Sequence, residues 1–484
     1  MLHSLQHNVR NGAVNEFIVT MTIWVPELPS SGTRYRLLAD AVAEAIATGE
    51  LCEGARLPPQ RRLADALGVT VGTVTRAYGE AERRGLVEAR VGSGTYVRGG
   101  EPPMRAFRHT VASGDADIVD LSLSLPPPHP DRPCALGEAL NAIGRDPMAL
   151  IQAVNYQPEQ GMARHREVLA SWMTQLGMPV DAEELMITQG GQHGIFLALQ
   201  ALIQPGERIA ASALTYPGLI CAAQQLHLKA LRVPLDEQGM DVEALARLCA
   251  QQPPRVVYVT PDQNNPTGAC LPEVRRERLV ELARAHDFWI VEDGVQYLPA
   301  EECGTPLYRL APERTLYLFS TSKVIASGLR VGTLRAPLAL SERLANLQRA
   351  QSWMVPPLMA EIVCRWIANG AAEKLLAWQL EEIAVRQRMA RERLAAFAPR
   401  GREHGFHLWL ELPPGWRAAA LIEQLERQQV RVTSAEPFCV GSEPAPQAIR
   451  LCVSAAANRV ALSRALEIIA TTLEGAPAMP WRTL

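Results

Sequence analysis

The sequence predicts a multidomain chain: a small, mainly α N-terminal module with a β wing, then an α/β domain, then a smaller C-terminal α+β domain. Three observations predict it. Residues 33–98 hold short amphipathic stretches joined by glycine-containing turns, followed by an alternating stretch that turns at Gly92-Ser93-Gly94. From about residue 134, apolar strand-like runs alternate with helical periodicity. After Pro337 the pattern becomes helical, and two more strand-like runs, GFHLWLELP and IRLCVSA, appear between helices. A length of 484 residues suits two or three domains.

Composition narrows the class. A hydrophobic content of 48% and a formal charge of −3 describe a globular chain, and no apolar run approaches a membrane span. The first 21 residues have no apolar h-region or signal cleavage pattern. Nine cysteines without Cys-x-x-Cys or metal-ligand spacing read as reduced thiols in a cytoplasmic protein, with no metal expected.

Residues 1–32 read as a disordered extension, with Met21 as an alternative start. In the module at 33–98, Thr33 is placed to cap a helix running to about Thr48, with Leu37, Leu38, Ala41, Val42, Ala45 and Ile46 on its apolar face. Pro58 and Pro59 precede a short helix, Gln60–Leu67; Gly68 permits a tight turn. Thr70 caps the next helix, about Val71–Arg84, and Gly85 ends it. This stretch resembles the GntR-family winged helix-turn-helix. The matching residues are Leu57-Pro58, Arg61, Leu63-Ala64, Thr73-Val74, Ala77-Tyr78, Gly85-Leu86 and Gly92-Ser93-Gly94-Thr95. The resemblance implies double-stranded operator DNA as partner. The second helix of the pair enters the major groove with Thr70, Thr73, Thr75 and Arg76 near bases or phosphates. Arg61 approaches the backbone, and the wing, with Gly94, approaches the minor groove. Many relatives carry Arg directly after the cap, where this chain has Val71. Ten Arg against eight Asp/Glu over residues 33–98 give a net charge of only +2, which suggests reliance on dimeric binding.

Residues 99–133 read as a linker and extended arm rich in Gly and Pro. The α/β domain is expected over 134–337, with strands at Leu185–Thr188, Arg208–Ser212, Leu228–Leu235, Arg255–Pro261, Phe288–Asp293, Thr315–Phe319 and Gly332–Pro337. The smaller domain follows over 338–474, and residues 475–484 are a tail.

Within the α/β domain the segment Thr315–Pro337 stands apart. An apolar strand-like run breaks at Ser320-Thr321-Ser322 and presents Lys323; Arg330 follows seven residues later. Of 48 basic residues only Lys229, Lys323 and Lys374 are lysine. A solvated charge is served equally by Arg, whereas a residue that must attack an aldehyde is not, because guanidinium stays protonated. Ser-x-Ser-Lys followed by Gly-Leu-Arg resembles the cofactor segment of fold-type I pyridoxal 5'-phosphate (PLP) enzymes, the aspartate aminotransferase superfamily. The resemblance implies Lys323 as Schiff-base lysine, with Ser320, Ser322 and Arg330 on the cofactor phosphate. Further matches follow in family order. Gly190, Gly191 and Gln192 open a helix whose N–H groups cradle phosphate. Tyr216 stacks on the pyridine ring. Asn265, in Asn-Pro-Thr-Gly, bonds the phenolate oxygen, and Asp293 pairs with the ring nitrogen. Tyr156 reaches the phosphate of the neighbouring subunit, and Arg450 binds a substrate or effector carboxylate. The superfamily usually has Tyr three residues after the Asp; here Gln296 stands there and Tyr297 comes next.

A GntR-type winged helix joined to an aminotransferase-like domain resembles, over roughly residues 33–470, the MocR/GabR-type bacterial transcription regulators. The implied function is DNA-binding regulation by a homodimer in the bacterial cytoplasm, sensing PLP, an amino compound, or both, as an imine at Lys323. The residues also leave open a metabolic aminotransferase with a fused DNA-binding domain, since Lys323, Asp293 and Arg450 permit transamination half-reactions.

Overall fold

Leu38, Val42, Leu63, Val74, Ala77 and Ala81 recur at helical spacing and are fully or nearly fully buried in one small core. The computed structural model describes residues 24–29, 32–48, 50–52, 54–84, 86–90, 94–97, 118–441 and 443–475. The readings at Met21, Gly85, Gly92 and Ser93, most of the N-terminal extension and of the linker, and the tail from 476 lie outside these residues. The chain divides into two units, 1–100 and 101–484.

In the first unit, helices Arg34–Ala47, Gln60–Leu67 and Val71–Arg83 precede an antiparallel hairpin, Val87–Arg90 with Gly94–Val97. Gly68, at φ 63°, makes the turn between the second and third helices in a backbone conformation that side chains disfavour. Thr70 caps the third helix by accepting from Thr73 N at 3.2 Å. Thr33 occupies the corresponding position before the first helix but makes no side-chain capping bond, contrary to expectation. Tyr78 Oη donates to the Pro58 carbonyl at 2.8 Å, tying the third helix to the entry of the second.

The second unit is built on a seven-stranded mixed sheet in the order Leu185–Thr188, Gly332–Arg335, Thr315–Ser320, Trp289–Asp293, Val256–Val259, Arg208–Ser212, Lys229–Val233. Gly332–Arg335 runs antiparallel to both its neighbours. Thr315–Ser320 is buried on both faces, which explains its unbroken apolar run: Leu316 and Leu318 enter one helical layer, Tyr317 and Phe319 the other. A four-stranded sheet follows in the order Arg400–Gly401, His407–Glu411, Ala448–Cys452, Thr433–Ser434. Leu408, Leu410, Ile449 and Leu451 pack one face of it against helices Ala371–Arg393, Ala418–Arg427 and Arg459–Glu474. Strand alternation turns His407, Trp409, Arg450 and Cys452 to the opposite face.

Two elements lie where an extended linker and arm were expected. Val119–Asp120 pairs in parallel with Val430–Arg431, and helix Asp131–Gly144 begins before residue 134. Among the described residues no helix is long and apolar enough to cross a membrane.

Candidate cofactor and effector site

Three strands end together, and the antiparallel strand starts beside them. Gly332 pairs with both Thr188 and Ser320, so Arg330, two residues earlier, emerges between two strand ends. Arg330 Nη1 donates to Ser322 Oγ at 3.0 Å and Nη2 to the Gln189 carbonyl at 3.2 Å. Ser320 Oγ lies 2.9 Å from Ser322 Oγ. Arg330 holds φ at 52°, a left-handed conformation that costs a non-glycine residue of order 1 kcal/mol. Gly190, at φ 78°, opens helix Gly191–Leu202, and a Cβ there would stand 2.7 Å from Arg330 Cζ. A helix N-terminus, two hydroxyls and a guanidinium thus converge, the donor set that a phosphate dianion requires. Gln192 donates from Nε2 to the Gly218 carbonyl at 2.9 Å, while its buried Oε1 has no partner.

Asp293 is buried at the end of its strand, where it accepts from Tyr258 Oη and, at 2.9 Å, from Val295 N. Burial pushes its carboxyl above the usual range, partly offset by the Tyr258 hydrogen bond. A protonated ring nitrogen would supply the positive charge that keeps such a buried carboxyl ionised. Tyr216 is half-buried at the start of helix Pro217–Gln225, and its hydroxyl is pushed up to about 12 by burial and then by Asp293.

Lys323 is half-buried, and its Nζ donates to the Ser124 carbonyl. Desolvation is the main cause that lowers its amine to about 8. Arg450 is buried on the smaller sheet. Its Nη1 donates to Asn265 Oδ1 at 2.9 Å and its Nη2 to the Ser122 carbonyl at 2.6 Å; Nε has no partner. The segment 121–125 therefore forms a strap whose carbonyls engage both cations. Gln296 Nε2 reaches Ser124 Oγ at 3.5 Å, whereas Tyr297 packs against the apolar cluster that includes Val324 and Ile325.

Lys323, Asp293, Asn265, Tyr216, Gln192, Ser320, Ser322, Arg330 and Arg450 thus come together with Gly190 and Gly191. Tyr156 does not join them: it is 78% exposed beside Trp353, with ring centroids 5.6 Å apart. Sequence reasoning missed Tyr258, His407 and the strap. His407 is fully buried, contacts the Asn264 carbonyl at 3.3 Å through Nε2, and is held neutral because burial and Arg450 push it down to about 3. The alternation His407-Leu408-Trp409-Leu410, which turns His407 away from the apolar face, was the available signal.

In the first unit the outward face of helix Val71–Arg83 carries Val71, Gly72, Thr75, Arg76 and Gly79, and Arg61 is exposed on the preceding helix. Thr70 and Gly94 are exposed, and Thr73 is half-buried.

The model of the bacterial regulatory proteins of the gntR family matches residues 34–97, and that of aminotransferase class I and II matches residues 149–469. The chain is 30% identical to the HTH-type pyridoxine biosynthesis transcriptional regulator PdxR of Corynebacterium glutamicum, over 70% of this chain and 73% of that one. The chain belongs to the MocR-type transcription regulators. This MocR-type chain is also 26% identical to the uncharacterized HTH-type transcriptional regulator YdeF of Bacillus subtilis, over 95% of this chain and 99% of the relative. Its aminotransferase-like part shares the fold of kynurenine aminotransferase from Pyrococcus horikoshii, with a TM-score of 0.66, 24% identity and coverage of 74% and 91% of the two chains. It also shares the fold of the α-aminoadipate aminotransferase LysN from Thermus thermophilus, with a TM-score of 0.65, 25% identity and coverage of 74% and 93%. The MocR-type chain therefore pairs a DNA-binding helix-turn-helix with a domain of a family that binds PLP.

Proposed function

We propose that this regulator binds PLP covalently through Lys323 and responds to an amino compound bearing a carboxylate. The observation that carries the reading is Lys323 itself, a half-buried amine lowered to about 8, in one site with buried Asp293 and the Gly190–Ser320–Ser322–Arg330 cradle. When bound, PLP supplies an aldehyde carbon open to amines and a protonated ring that draws electron density. Arg330, Ser320, Ser322 and the N–H groups at Gly191 and Gln192 hold the phosphate. Asp293 keeps the ring nitrogen protonated, Tyr216 covers the ring face and Asn265 bonds its oxygen. Arg450 takes the effector carboxylate: its second amino group leaves the Ser122 carbonyl and its orphaned Nε gains a partner.

A homodimer completes the reading. Met148, Ile151, Val154, Tyr156 and Trp353 are exposed apolar or aromatic side chains, which supports a second copy as the surface that covers them. Tyr156 would then serve the neighbour's phosphate. The first unit binds operator DNA, with Arg61 and Arg76 on phosphates or bases.

The test is spectroscopic. Wild-type protein treated with PLP and desalted retains a yellow chromophore, and Lys323→Ala does not. A colourless wild type sinks the cofactor reading. Arg450→Ala retains the chromophore but loses about 2–5 kcal/mol of affinity for amino acids, with little change for carboxylate-free amines. Equal affinity for amino acids in the two proteins removes the role given to Arg450.

A further inference from the structure

On the reading helix, Arg76 suits guanine or phosphate and not adenine. Val71 is apolar and 41% exposed, Gly72 and Gly79 have no side chain, and Arg76 is a cation. Thr75, expected near bases, has a hydroxyl already engaged inside the module. Its Oγ1 lies 2.7 Å from Gln60 Oε1 and 3.0 Å from the Val71 carbonyl. One hydroxyl proton cannot serve two acceptors at full strength. A half-turn of the Gln60 amide exchanges its nitrogen and oxygen at the same place. Gln60 Nε2 then donates to Thr75 Oγ1, and Thr75 donates to the Val71 carbonyl. Both contacts become proper hydrogen bonds, and the amide keeps one free N–H and one free acceptor oxygen.

That remaining pair is the complement of adenine in the major groove, where N7 accepts and the N6 amino group donates. Val71 lies one turn before Thr75 on the same exposed face, and its methyls suit the C5-methyl of thymine. Gln60 sits in the first turn of the helix before the reading helix, half-buried and anchored by Thr75, so its rotamers are already restricted. We propose that Gln60, positioned by Thr75, reads an adenine in the operator, and that Val71 reads a neighbouring thymine methyl. This inference rests on the reading of helix Val71–Arg83 as the major-groove helix.

The test uses the full-length protein, a randomised double-stranded DNA library, and sequencing of the bound duplexes. Wild type enriches sites with an adenine next to a thymine. Gln60→Ala loses about tenfold of the preference at the adenine and keeps the other positions. Its salt dependence is unchanged, because glutamine neutralises no phosphate. Gln60→Glu moves that position from adenine toward cytosine, whose N4 amino group donates to a carboxylate. Thr75→Val, which keeps the shape and removes the anchor, weakens the same position only. If wild type enriches duplexes and Gln60→Ala returns the same base preferences, the inference is overturned while DNA binding stands. If wild type enriches no duplex, the major-groove reading falls with it. Should Gln60→Ala bind nothing, Gln60→Glu decides: a shift to cytosine supports the inference, and a retained adenine overturns it.

Discussion

At the level of single residues, the chemistry turns on how desolvation lowers one amine. An ordinary lysine is almost wholly protonated near neutrality and is a poor nucleophile. With Lys323 lowered to about 8, a useful fraction is neutral just above neutral pH. The rate of cofactor attachment, followed by absorbance, is expected to rise with pH and level off above about 8, not above 10.5. A rate still climbing steeply at pH 10 would contradict the burial argument. Stability carries the same sign. Between about 8 and 10.5 the unfolded chain binds the proton that the folded one has lost, so this group's contribution to stability grows as pH rises through that window. Lys323 was legible in the sequence because lysine is scarce here and a serine turn precedes it. Tyr258 was not, because an aromatic in an apolar strand looks like core until its hydroxyl is found on Asp293. Gln60 was hidden for a similar reason: its anchor lies fifteen residues away on another helix.

At the level of elements, two helices make opposite kinds of prediction. Helix Pro357–Ala368 carries buried Glu361, which accepts from His165 at 2.8 Å and Arg365 at 2.7 Å and also contacts Arg164. The His165 hydrogen bond is the main cause that lowers its carboxyl to about 2. Glu361→Gln leaves this cluster without its anion and is expected to cost about 3 kcal/mol in thermal or denaturant unfolding near neutral pH. Because the folded value is depressed, the contribution is complete above the ordinary value of 4.5 and lost as pH falls through about 2. A wild-type advantage of the same size at pH 1.5 and pH 7 would refute the assignment. Helix Val71–Arg83 spends stability where the other stores it. A Cβ at Gly79 would meet nothing within 4 Å, and one at Gly72 only Thr70 Oγ1 at 3.8 Å, so no internal contact requires either glycine. Gly72→Ala should stabilise the module by about 0.5–1 kcal/mol and yet weaken DNA binding, because a flat face approaches the groove floor more closely. If melting temperature and affinity rise together, close approach is not the reason for the glycine. The three helices of the first unit and the seven strands of the larger sheet were legible from periodicity. The strand Val119–Asp120 was not, since two residues carry no period and exist only through their pairing with Val430–Arg431.

For the whole molecule, the two units differ in what they need in order to fold. Among the described residues, the core of the first is built from residues between Trp24 and Val97. A fragment spanning residues 24–97 is expected to fold by itself, with helical circular dichroism and a cooperative melt; a fragment without a melt would show that the core needs more chain. The second unit begins, in the described residues, at 118, and the strap at 121–125 is the first stretch of it to reach the site. Its carbonyls at Ser122 and Ser124 answer Arg450 and Lys323. On the proposed reading, an effector carboxylate at Arg450 competes with the Ser122 carbonyl, and that competition sets a response threshold. If the strap leaves Arg450 free about 1% of the time, the observed dissociation constant is about 100-fold weaker than the intrinsic one. On that reading, sensitivity to the effector is tuned by strap residues at 121–125 that never touch it.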